Sequence, residues 1–115
     1  MTLNNDLTGE LKVSVVTAVR NRADVLSFAL SSIARQTHPL IEKVIIDGDS
    51  SDNSAEVARS FCSFKDKLLS ETDMGIYDAL NKGVQLSTGD IICFLHSDDC
   101  YYSNTVLADI VSVFK

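Results

Sequence analysis

The chain has 115 residues, 45% of them hydrophobic and 23% charged, which is the balance of a single globular domain with a core of ordinary size. Its 16 acidic and 10 basic residues leave a net charge of -6, arguing against non-specific binding to nucleic acid or to an anionic membrane. The longest apolar run, Ile91 to Leu95, is too short to span a bilayer, and the start MTLNNDLTGE lacks the basic and apolar segments of a signal peptide.

Residues 1–11 are polar and read as a flexible lead-in, with one domain expected over 12–115. The Val-rich stretch 12–17 predicts a buried strand. Leu26, Leu30, Ile33 and Ala34 then make a helical stripe within 22–36, with Asn21 as the expected N-cap and Pro39 just past the end. A second strand is predicted over 42–47, followed by the polar turn GDSSDN. Asp52 or Asn53 can cap the next helix, whose apolar face holds Val57, Ala58, Phe61 and Cys62. Residues 67–70 predict a short third strand. A helix over 75–87 places Ile76, Leu80, Gly83 and Val84 on one face, with Gly89 as its expected C-terminal cap. Residues 90–95 predict the fourth strand, and a last helix from about 104 is expected to bury Val106, Leu107, Ile110, Val111 and Phe114.

Strand and helix thus alternate four times. Continuously apolar strands joined by helices predict an α/β fold: a Rossmann-like, mostly parallel sheet with helices on both faces. In such sheets ligands bind outside the carboxyl ends of the strands. Those ends carry Thr17, Ala18, Val19, Arg20 and Asn21, then Asp47, Asp49 and Asp52, then Glu71 and Asp73, then Asp98 and Asp99. Each acid can be a helix cap, but capping needs one residue per helix and is not expected to account for the whole set. The adjacent pair Asp98–Asp99 suits a hard divalent cation, Mg or Mn, that is shared with phosphate oxygens. Neither glycine-rich phosphate loop, GxGxxG or GxxxxGK[ST], is present. Cys62, Cys93 and Cys100 are odd in number and match no metal knuckle, so they read as reduced thiols of a cytoplasmic protein.

The strings KVSVVTAVRNR, IIDGDSSDNS and SETDMGIYDALNKGVQLSTGDIICFLHSDD, in this order and spacing from Lys12 to Tyr101, resemble the family 2 glycosyltransferases of GT-A fold. The resemblance implies transfer of a sugar from a nucleotide diphosphate sugar, foremost a UDP-sugar, in polysaccharide or glycoconjugate synthesis. It implies that Thr17, Ala18 and Val19, with Asn21 just beyond, flank the nucleotide. Asp47 would lie on the nucleobase side, Asp73 and Gly75 would line the uridine and ribose pocket, and Asp98 would face the ribose. Asp99 would bind the metal on the diphosphate, where a Lewis acid neutralises the leaving group. Arg20 and Arg22 are candidates for phosphate contact, and His96 is a weaker candidate for the site.

Two departures stand out. Many relatives read DDGS after the second strand; here Gly48 takes the second acidic position and Asp49 the glycine position. Complete members also continue past the metal loop, where they hold the acceptor site and general base. The chain is therefore expected to be a donor-binding part without its own base, and its unfinished sheet edge would favour a homodimer. The acceptor, a sugar, a lipid-linked sugar or another group, is not legible. A non-catalytic nucleotide-binding or protein-interaction module of the same fold is the main rival. A phospho-receiver domain fits poorly, because Thr17-Ala18-Val19 stand where an acidic pair would follow the first strand.

Overall fold

A computed structural model describes residues 10–115. Strands and helices alternate along them: β1 (Val13–Val19), α1 (Ala23–Ala34), β2 (Ile41–Asp47), α2 (Ser54–Ser60), β3 (Lys67–Ser70), α3 (Ile76–Leu86), β4 (Ile91–Phe94) and α4 (Val106–Phe114). The strands form one parallel sheet in the order β3-β2-β1-β4. All seven residues of β1 are buried, as a central strand of a doubly wound sheet requires. Its register runs from Val13 against Ile41 to Val19 against Asp47 on one side, and from Val13 against Ile91 to Val16 against Phe94 on the other.

The two faces of the sheet carry separate cores. On one face Val13, Val15, Val19 and Ile45 meet Leu26, Ala29, Leu30 and Ile33 of α1, Ala58 of α2, and Leu107 and Val111 of α4. The spacing 26, 29, 30, 33 is one helical stripe, and each fully buried leucine or isoleucine contributes roughly 1.5–3 kcal/mol. On the other face Val16, Ala18, Val44 and Ile46 pack against Ala79, Leu80 and Leu86 of α3. Here α3 lies very close to β1: a Cβ on Gly83 would stand 2.3 Å from Val16 Cγ1.

The elements match the sequence expectation, with four local corrections. Gly89 is not a helix cap. The chain leaves α3 through Ser87 in an extended conformation, and Gly89 is small because a Cβ there would stand 2.7 Å from the Ser14 nitrogen. Asn21 is not the cap of α1; Arg22 holds that position, and the oxygens bonded to this helix start come from Asp52 and from Ser54 at the start of α2. The expected burial of 90–95 holds for Ile91 and Leu95 only, whereas Ile92 and Phe94 are 37% and 49% exposed. The reason is that β4 is an edge strand and α3 covers β1 and β2 but leaves β4 open. Similarly, α4 buries Leu107 and Val111, while Phe114 is exposed. Most of the expected lead-in 1–11 lies outside the described residues; of its last two, Leu11 packs on the core and Glu10 sits 3.6 Å from His38.

Candidate functional site

The order β3-β2-β1-β4 reverses direction at β1, and the crevice between the carboxyl ends of β1 and β4 is the topological switch point where such sheets bind ligands. A cleft of about 220 Å³ opens there. Ala18 and Val19 line it from the end of β1, Arg20 and Arg22 from the following loop, Asp73, Gly75, Ile76 and Ala79 from the start of α3, and Ser97 from the loop after β4.

The loops around the cleft are tied together by short polar side chains. Asn21 adopts a left-handed backbone (φ 54°), and its Oδ1 accepts hydrogen bonds from the Ser51 and Asp52 N–H groups at 2.8 and 3.3 Å. Asp52 in turn serves two helices. Its Oδ2 accepts the Ala23 N–H of α1 at 3.1 Å, and its Oδ1 accepts the Ser54 N–H and hydroxyl of α2 at 2.9 and 2.5 Å. These bonds, led by the Ser54 hydroxyl, hold its carboxyl below the usual aspartate range. The Ser54 hydroxyl also accepts the Arg22 N–H at 3.1 Å. Asp47 is fully buried beneath this turn, where it accepts hydrogen bonds from Ser50 Oγ at 2.5 Å and Ser70 Oγ at 2.7 Å.

The loop before α3 is fixed from both ends. Asp73 Oδ1 accepts the Gly75 N–H at 3.0 Å, and Asp78 Oδ2 accepts the Met74 N–H at 2.9 Å. Lys82 reaches back to Glu71 at 2.9 Å and donates to the Thr72 carbonyl at 3.1 Å, so this lysine anchors the loop. Its pKa is raised, chiefly by Glu71. Gly75 itself has φ 110°, a conformation that favours glycine. Asp49, in the usual glycine position, has φ 59° and so adopts the left-handed backbone that a glycine would supply.

Asp98 and Asp99 sit on the exposed loop after β4, next to the cleft residue Ser97. The turn closes through the Asp99 N–H to the His96 carbonyl at 3.0 Å. Beyond it, the chain is held to the end of α1 by Gln36, whose Nε2 donates to the Ser103 carbonyl at 2.7 Å while its Oε1 accepts the Leu107 N–H at 3.0 Å. Neither carboxylate of the pair has an ion-pair or hydrogen-bond partner among the described residues, unlike Asp47, Asp52 and Asp73. No group of three or more His, Cys, Asp and Glu side chains among those residues can hold a metal ion. The donor set therefore suits a cation that takes most of its ligands from a phosphorylated molecule, and does not suit a closed protein cage.

The acids after the strands thus divide into two kinds. Capping and loop-tying explain more of them than the sequence reading allowed: Asp47, Asp52 and Asp73 bond to loop groups, and Glu71 pairs with Lys82. Asp49 Oδ2 accepts the Thr72 hydroxyl at 3.4 Å, so of this set only Asp98 and Asp99 have no side-chain partner among the described residues. Of the other candidate residues, Ala18, Val19, Asp73 and Gly75 line the cleft together. Asn21 shapes the loop beside it. Thr17 is fully buried, and its hydroxyl has no partner among the described residues. The cleft also includes Ile76, which the helical periodicity had placed simply on the packed face of α3, and Ala79, which it did not single out. The signal that separates them is position: both fall in the first turn, where a helix starts beside the strand ends.

The model of the family described as "Glycosyl transferase family 2" matches residues 14–115. The chain belongs to that family. A PGL/p-HBAD biosynthesis glycosyltransferase of Mycobacterium bovis is 39% identical to it over 102 residues, which is 86% of this chain and 40% of the relative. The glycosyltransferase AglE of Haloferax volcanii is 34% identical over 91 residues, 75% of this chain and 30% of that protein. The mannosyltransferase PcManGT of Pyrobaculum calidifontis, solved with GDP-Man and Mn2+, has a TM-score of 0.82 at 25% identity, covering 89% of this chain and 32% of its own. The 115 residues therefore span about 40% of the length of the first curated relatives they match. The α/β sheet of this family 2 chain is the Rossmann-like core seen in its GT-A neighbours. Among its described residues no helix is long and apolar enough to cross a membrane.

Proposed function

We propose that these residues form the donor-binding part of a glycosyltransferase that moves a sugar from a nucleotide diphosphate sugar, with a UDP-sugar as first candidate, onto an acceptor. The observation that carries this reading is the cleft at the β1/β4 switch point with the unpartnered Asp98–Asp99 pair beside it, in a family 2 chain. Ala18, Val19, Asp73 and Gly75 would hold the nucleoside. Asp73 presents a carboxylate, an acceptor for base N–H or ribose O–H groups. Asp99, with Asp98 next to it, would hold Mg or Mn through the diphosphate oxygens, as suits two exposed carboxylates that lack a third partner. Such a cation acts as a Lewis acid that neutralises charge on the departing nucleotide. No described side chain is assigned as the base that deprotonates the acceptor. The GDP-Man and Mn2+ bound by the Pyrobaculum mannosyltransferase support the class of donor and cation.

The test is thermal stabilisation by UDP and by GDP, each with Mn2+ or with a chelator. Stabilisation follows RT ln(1 + [L]/Kd), so about 100 Kd of free ligand adds about 2.7 kcal/mol. A metal-dependent rise in the wild type and its absence in Asp99→Ala are expected. Equal responses in the two proteins would remove the metal assignment.

A further inference from the structure

A diphosphate entering this cleft meets an unusual electrostatic setting. In α/β folds the phosphate commonly rests on the N–H groups at a helix amino end. Here carboxylates crowd both helix starts beside the cleft. The Ala23 N–H of α1 is bonded to Asp52, and the Arg22 N–H to the Ser54 hydroxyl. Ahead of α3, the Gly75 N–H is bonded to Asp73 and the Met74 N–H to Asp78. A phosphate at either helix end would lie against an aspartate. Asp98 and Asp99 add two more negative charges beside the cleft, in a chain of net charge -6.

Two cations line the cleft all the same, Arg20 and Arg22. They flank Asn21, whose left-handed backbone and bonds to Ser51 and Asp52 fix the turn between them. Arg22 Nε lies 3.4 Å from Asp24 on a side chain that stays 45% exposed. Arg20 is exposed and has no carboxylate partner among the described residues; Arg35, Arg59 and Lys65 share that state but do not line the cleft. A guanidinium is planar, remains charged at every relevant pH and offers paired donors that match phosphate oxygens.

We propose, given the donor reading above, that Arg20 and Arg22 form a guanidinium clamp for the diphosphate of the bound nucleotide, acting independently of any cation at Asp99. Arg20 is its free arm. Arg22 is its braced arm, exchanging the long contact with Asp24 for phosphate when the nucleotide enters. The clamp supplies positive charge beside helix starts that are crowded by carboxylates.

The experiment compares uridine with UDP and guanosine with GDP in excess chelator, by calorimetry or NMR titration, on the wild-type chain and on Arg20→Ala, Arg20→Lys and Arg20→Ala/Arg22→Ala. One charge-assisted contact is worth about tenfold in affinity or more. The wild type is expected to bind the diphosphate at least about tenfold tighter than the nucleoside without metal, a preference that shrinks as salt is raised. Arg20→Ala should lose most of that preference, the double variant all of it, and Arg20→Lys should keep part, with nucleoside affinity unchanged throughout. Thermal melts of the variants confirm folding, which substitution at these exposed side chains should preserve. Arginine variants that weaken nucleoside and diphosphate equally, or neither, would overturn the clamp while leaving the donor reading intact. Absence of binding by any nucleoside or nucleotide, with or without Mn2+, would remove the donor reading and the clamp with it.

Discussion

The carboxylate of Asp73 occupies the space that a side chain on Gly48 would need: a Cβ there would stand 2.8 Å from Asp73 Oδ2. Gly48 does not have a left-handed backbone, so space and not conformation favours glycine at this position. The space beside Gly48 is thus filled by an acid arriving from the loop before α3. The Gly75 N–H holds one oxygen of Asp73, and the residue lines the cleft.

Gly48→Ala should therefore act through Asp73. The displaced group is the tip of a flexible side chain, so stability is expected to change by less than about 1 kcal/mol. Nucleotide affinity should fall several-fold, and Asp73→Ala should cause a similar loss. The decisive comparison is Gly48→Ala made in an Asp73→Ala background. If the two sites are coupled as described, the second substitution has no further effect on affinity. Losses that add would place the effect of Gly48→Ala elsewhere.

Gly83 presents the opposite case, where the neighbour cannot move aside. Its hypothetical Cβ would meet Val16 Cγ1 at 2.3 Å, and Val16 is a fully buried residue of the central strand. Alanine has the higher helix propensity, so an exposed site would gain from Gly83→Ala. Here overpacking should win and cost about 1–3 kcal/mol in urea unfolding. Gly83→Ala paired with Val16→Ala should recover part of that loss. A stabilised single variant would show that α3 moves off β1 easily.

The element order was legible because each strand is a short apolar run and each helix a 3.6-residue stripe, and both patterns depend on local sequence alone. The edge exposure of Ile92 and Phe94 was not, because an apolar strand reads the same whether or not a helix covers it. As cleft-lining residues, Ala18, Val19 and Asp73 were legible from their positions after strands, and Gly75 from the family resemblance alone. The division of labour among the acids was not. That Asp47 is buried under Ser50 and Ser70 while Asp99 is free depends on partners 23 residues or more away for Ser70, or absent altogether. Likewise, Asp52 looked like a cap for the helix that follows it, and nothing local announces that its other oxygen caps α1, 29 residues earlier.

Glu42 organises the opposite end of the sheet. Its side chain is 1% exposed and accepts hydrogen bonds from Ser14 Oγ at 2.7 Å, the Thr88 N–H at 3.0 Å and Thr88 Oγ1 at 3.1 Å, beside the ammonium groups of Lys67 and Lys12. Burial alone pushes the carboxyl up. Lys67, Thr88 and Ser14 together outweigh it and bring the pKa from 4.5 down to about 2. A depressed acid stabilises the fold above its unfolded pKa, and that contribution disappears as pH falls from about 4.5 through about 2. Glu42→Gln should cost on the order of 2–3 kcal/mol at pH 7, since Gln cannot pair with both lysines. It should also flatten the acid limb of stability against pH. A variant with an unchanged acid limb would show that other carboxylates govern acid unfolding.

Asp52 joins α1 and α2 at the side of the sheet that faces the cleft, so its loss should loosen both helix starts at once. Asp52→Ala is expected to lower the melting temperature and to reduce amide-exchange protection at Ala23 and Ser54 together, because one carboxylate serves both. The pH response separates this role from simple packing. The carboxyl is held below its usual range by the Ser54 hydroxyl and by the Ser54 and Ala23 N–H groups. Its capping is therefore complete at neutral pH and is lost only as pH falls through that lowered pKa. In the wild type, protection at Ala23 and Ser54 should decline together in that acidic range. In Asp52→Asn the side chain keeps one oxygen acceptor but cannot titrate, so protection at one of the two sites should already be reduced at pH 7 and should not respond to acid. Parallel acid profiles in wild type and Asp52→Asn would mean that another group controls these helix starts.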